Sequence, residues 1–112
     1  MTGPRFEFWH ERLDVYRVSL EFVTFVEELG RGSLRAHPQR VDQLRRAADS
    51  IVLNIAEGSS QHSMKARHNH YRIALGSAGE CHAILELSAR RGATVADGQA
   101  LLGRIAAMLS RM

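Results

Sequence analysis

The strongest constraint on this chain is a spacing of three and four between apolar residues, which recurs in four separate stretches. That rhythm follows the 3.6-residue turn of an α-helix and places the apolar side chains on one stripe. From Phe6 to Leu29 it is written twice, once as Phe6, Trp9, Leu13, Tyr16, Leu20 and Val23, and once as Val15, Val18, Phe22, Phe25 and Leu29. Two adjacent seams make one helix greasy over a wide arc. The first seam suffices to line a core, so Val15, Val18, Phe22, Phe25 and Leu29 are expected to seek a second copy of the chain. Trp9, Phe22 and Phe25 fit core positions better than interface anchors, because aromatic residues at helical spacing usually pack inward.

Punctuation separates the stretches. Gly30 and Gly32 close the first. Pro38 opens the second, at a position where its missing N–H costs nothing. Val41, Leu44, Ala48, Ile51 and Ile55 carry the stripe to Gly58, expected to be the left-handed cap. Ser63 is a good N-cap for a third helix, which runs through Tyr71, Ala74, Leu75, Ala78, Cys81, Ile84, Leu85 and Ser88 to Gly92. Thr94 is expected to cap the fourth, with Asp97 near the positive end of its dipole and a stripe of Leu101, Leu102, Ile105, Met108, Leu109 and Met112. No stretch alternates with period two. The expectation is an all-α, antiparallel up-down-up-down four-helix bundle forming one domain over residues 1–112.

Several function classes drop out. No run of about 18 apolar residues exists to span a membrane, and the opening MTGPRFEFWHER lacks the layout of a signal peptide. The single cysteine, Cys81, fits a reducing cytoplasm and a buried core position. Glu7-Phe8-Trp9-His10 is the one Glu-x-x-His spacing, so a di-iron carboxylate set is incomplete. His68 and His70 are two apart and diverge on a helix, as do the neighbours Cys81 and His82. No phosphate-binding glycine loop or nucleophile elbow appears. A non-enzymatic protein without metal or cofactor is expected.

Charge is unevenly spread. Six acids (Glu7, Glu11, Asp14, Glu21, Glu27, Glu28) face only Arg12 and Arg17 between Phe6 and Leu29, whereas eight bases face Asp42, Asp49 and Glu57 between Arg31 and Leu75. Arg35, Arg40, Arg45, Arg46, Lys65, Arg67 and Arg72 are therefore candidate phosphate contacts. With Tyr71 as the one interleaved aromatic, such binding to RNA or DNA would be sequence-independent and salt-sensitive. The alternative is compositional bias combined with self-docking against the acidic first helix. Of the adjacent Arg45 and Arg46, one is expected to pair with Glu57 or Glu80 while the other faces a groove.

The stretch Gln43-Leu44-Arg45-Arg46-Ala47 through Ser50-Ile51 to Asn54-Ile55-Ala56-Glu57-Gly58, followed by Tyr71, Ala74, Gly76, Ser77 and Glu80, resembles the four-helix-bundle family of proteins encoded in intervening sequences of 23S ribosomal RNA genes. Gly79 departs from that pattern, where a larger residue is usual. The resemblance implies a bundle that assembles into a ring-like pentamer. It also implies distant kinship with accessory proteins of diversity-generating retroelements, which bind a reverse transcriptase and nucleic acid. Ser50, Asn54 and Glu57 share a helix face, and Gly76 with Gly79 would let another helix approach Ser77 closely. That polar set reads as a register-fixing contact, with a ligand or partner site as the alternative.

Overall fold

A computed structural model describes residues 6–112; Met1 to Arg5, the start of the stretch read above for a leader, lie outside the described residues. A 3₁₀ turn at Trp9–Arg12 precedes four helices: α1 Asp14–Arg31, α2 Pro38–Ser59, α3 Met64–Arg90 and α4 Ala96–Ser110. Among the described residues there is no strand. No helix among the described residues is long and apolar enough to cross a membrane.

Contacting positions run in opposite senses along neighbouring helices. An added Cβ at Gly30 of α1 would meet Val41 of α2, and Glu27 pairs with Arg45. Along α2 and α3, Ser50 meets Ser77 and Asn54 meets His70. The α1–α2 and α3–α4 turns therefore share one end of the bundle. The N-terminal arm and the α2–α3 turn share the other.

The first helix starts later than its spacing predicts. Phe8 N–H donates to the Glu11 carboxylate at 3.3 Å, closing a small cap, and Leu13 is extended. A helix cannot pass through that backbone, so Phe6, Phe8 and Trp9 leave the line of the stripe. They are 71%, 53% and 66% exposed, which corrects the core position expected for Trp9.

The seam assigned to a subunit interface is corrected as well. Val15, Val18, Phe22 and Leu29 are buried within the single chain, with Val26 beside them, and they form this bundle's own core. Phe25 is also used internally: its ring occupies the space that a side chain on Gly98 would need. The other seam is the outer one, with Leu13, Tyr16 and Val23 half-buried and Leu20 exposed. Both seams have one period, so spacing alone could not order them.

Local signals elsewhere fare variously. Ser63 Oγ accepts the Ala66 N–H at 3.0 Å, and Pro38 sits in the first turn of α2. Gly92 adopts φ +99°, with Ala93 N–H on Ser88 O and Gly92 N–H on Ala89 O, each at 3.0 Å, a paired closure that stops α3. Gly58 is not a left-handed cap. It lies buried inside α2, where an added Cβ would come within 2.7 Å of the Tyr71 ring. Thr94 does not cap α4 either, since Val95 holds that position without a side-chain bond.

Candidate functional site

The seven candidate phosphate contacts do not form one surface. Arg45 is occupied: its Nε and Nη2 donate to Glu27 at 2.6 and 2.9 Å, and Nη1 to Asp42 at 3.2 Å. This fork-to-carboxylate geometry holds the Glu27 carboxyl below its ordinary range. Neither Glu57 nor Glu80 pairs with it, contrary to the sequence expectation. Arg67 reaches back to the Gln61 carbonyl at 2.8 Å, which ties down the α2–α3 turn. Lys65 and Arg72 are exposed near the start of α3. Arg35 and Arg40 lie at the opposite end, roughly 30 Å away by the length of α2.

At that opposite end the fold adds cations that sequence reasoning left out. Residues 29–41 contain Arg31, Arg35 and Arg40, residues 87–96 contain Arg90 and Arg91, and neither stretch holds an acid. A cleft of about 140 Å³ between the two turns is lined by Arg40, His37 and Ser33 from one side and Arg91 from the other. Among the described residues, Arg35, Arg40, Arg90 and Arg91 have no ion pair. The missed signal was topological: an up-down bundle must bring its first and third turns together.

A wider groove of about 720 Å³ continues from Arg40 along the outer side of α2, past Gln43 to Arg46. Thus Arg35, Arg40 and Arg46 with Gln43 belong to one basic region, and Lys65, Arg67 and Arg72 to another.

The polar set between α2 and α3 does assemble. Ser50 and Ser77 share a hydrogen bond of 2.7 Å, and Asn54 Nδ2 donates to the Ser50 carbonyl at 2.9 Å. In that orientation Asn54 Oδ1 faces His70 Nδ1 at 3.0 Å, and a Glu57 carboxylate oxygen lies 3.5 Å from the same nitrogen. Both facing atoms accept, so His70 Nδ1 carries the proton. His70 is a member that the sequence did not reveal, although antiparallel register places it opposite Asn54. Gly76 and Glu80 stand outside the network on the exposed face of α3, and a Cβ at Gly76 or Gly79 would meet nothing within 4 Å. Among the described residues no helix of the same chain approaches there.

The buried Cys81 thiol is pushed up to about 12 by desolvation and then by Glu80, so it stays protonated at neutral pH. Among the described residues no group of three His, Cys, Asp or Glu side chains is placed to hold a metal.

Compared with known families, residues 11–112 match the model described as 23S rRNA-intervening sequence protein. No curated protein matches the chain.

Proposed function

The chain belongs to the 23S rRNA-intervening sequence protein family, and from that premise we propose that it works as a homo-oligomeric helical scaffold or accessory subunit rather than as an enzyme. One observation carries this reading. Ile73, Gly76, Glu80, Ala83 and Leu87 recur at three and four along α3, and all are exposed, with Leu53 of α2 exposed beside them. The line is apolar at its ends, and the small Gly76 and Ala83 flank the single charge of Glu80 at its centre, so another helix can come close on either side of that carboxylate. Phe6, Phe8 and Trp9 project from elsewhere on the same chain, so one molecule carries both a ridge and a trough. A contact between unlike surfaces of identical chains generates a ring when its rotation closes. Five copies is the number that the resemblance implies.

Mass measurement by light scattering at micromolar concentration tests the reading. A species several times the 12.5 kDa chain is expected, and Ala83→Arg should return it to a monomer with unchanged helicity. A wild-type monomer removes the proposal.

A second reading, binding to the backbone of RNA or DNA as an accessory to a ribonucleoprotein or a reverse transcriptase, is favoured by the basic end, whose two turns hold arginines and no acid. Neighbouring copies in an oligomer would multiply weak contacts into useful avidity. Binding at about 50 mM salt that falls steeply by about 200 mM is expected.

A further inference from the structure

We propose that the cleft between the α1–α2 and α3–α4 turns is a phosphate site, held by Arg40 and Arg91 with His37 and Ser33 at its rim, and that it takes backbone phosphates of a nucleic-acid strand. The proposal rests on the nucleic-acid reading above and locates it. Arg40 comes from the first turn of α2 and Arg91 from the end of α3, more than fifty residues apart in sequence, yet both line one cleft. Neither guanidinium makes an ion pair or hydrogen bond among the described residues, and no acid lies in either turn. Two cations facing one cleft without a counter-charge repel each other, and an oxyanion between them removes that repulsion. At about 140 Å³ the cleft is large enough for a tetrahedral phosphate.

The surroundings favour an anion further. α2 begins at this cleft with no acid in its first turn and no side-chain cap on its N-terminus, so the positive end of its dipole is left uncompensated. Among the described residues the Ser33 hydroxyl has no partner, so it can donate to an anion. Ser88 is excluded, because its hydroxyl donates to the Ile84 carbonyl at 2.8 Å.

Both walls are held in place. Leu34 is buried and its N–H reaches the Leu29 carbonyl at 2.9 Å, while the His37 N–H reaches the Leu34 carbonyl at 2.9 Å. The opposite wall is set by the closure at Gly92. The groove leading past Gln43 to Arg46 then offers the following phosphates a path along α2, its one lining carboxylate, Asp42, being held by Arg45 Nη1 at 3.2 Å.

The test uses the full chain, a fluorescein-labelled 20-nucleotide oligouridine and, separately, sodium pyrophosphate. At about 50 mM salt, Arg40→Gln with Arg91→Gln should weaken oligouridine binding about tenfold and reduce the dependence on salt by about two ions. Arg104→Gln with Arg111→Gln, at the other end of α4, should change it less than about twofold. Unchanged binding in the Arg40/Arg91 variant overturns the site while leaving the nucleic-acid reading standing. A wild type that ignores oligouridine, yet is stabilised by pyrophosphate only when Arg40 and Arg91 are present, keeps the phosphate cleft and overturns its nucleic-acid occupant. If wild type responds to neither probe, the site falls.

Discussion

The two ends of the bundle are built from similar residue types put to opposite uses. At the end holding the N-terminal arm and the α2–α3 turn, many charges are answered from within. Arg12 meets Glu7 at 3.0 Å, Arg17 meets Asp14 at 3.1 Å, Arg67 holds the Gln61 carbonyl, and His70 lies between Asn54 and Glu57. Aromatic rings fill in around them, with His10 against Tyr16 at 4.6 Å and Tyr71 pressed on Gly58. At the end holding the other two turns, the Arg35, Arg40, Arg90 and Arg91 side chains have no such answer among the described residues, and backbone bonds with the buried Leu34 and Val95 fix the chain. A charge that the fold consumes contributes to stability; a charge that the fold leaves over is available to something outside. The contrast predicts that substitutions at the first end act on folding, and those at the second act on binding.

The largest effect is expected at the aromatic end. Tyr71→Ala removes a buried ring packed beneath α2 and should destabilise by about 3–5 kcal/mol, lowering the melting midpoint by about 15 °C or more. Gly58→Ala follows, at about 2 kcal/mol, because the added methyl would lie 2.7 Å from the Tyr71 ring and 3.0 Å from His70 Cβ. At the basic end the matching change, Gly92→Ala, meets open space and pays only for its left-handed backbone, about 1 kcal/mol. Chemical denaturation of the two glycine variants checks the order. If Gly92→Ala proved the costlier, the basic end would be held by packing and the contrast would fail.

What the sequence disclosed, and what it withheld, follows from the range of each interaction. Helices α2 and α3 were legible because a period of 3.6, a proline in the first turn, the Ser63 cap and Gly92 are all local signals. The start of α1 was not, because the cap between Phe8 and Glu11 breaks the helix without breaking the apolar spacing. The choice between the two seams of α1 was invisible for a related reason: period fixes the width of a stripe and says nothing of which half finds a neighbour. Gly58 looked like a terminator until Tyr71, thirteen residues away, showed why no side chain fits there. In the candidate site, Arg35 and Arg40 were found by charge alone. Arg90 and Arg91 were missed because nothing local joins them to residues fifty positions earlier. Ser50, Asn54 and Ser77 were grouped through the family motif, while His70 needed the pairing of α2 with α3.

The smallest expected effects discriminate most sharply between the two ends, since each removes arginine groups and leaves the packing alone. Arg67→Met keeps the length of the side chain but abandons the Gln61 carbonyl, so it should cost about 1 kcal/mol and leave oligouridine binding nearly unchanged. Arg35→Gln with Arg91→Gln removes two exposed charges that nothing in the fold answers. Its stability should stay within about 0.5 kcal/mol of wild type, with any shift toward higher stability at low salt, because like-charge repulsion is being relieved. Melting curves at low and high salt separate the cases. A clear loss of stability in the Arg35/Arg91 variant would mean that these side chains already have partners within the folded protein, and a cation with a partner at home has no charge to spare for a phosphate.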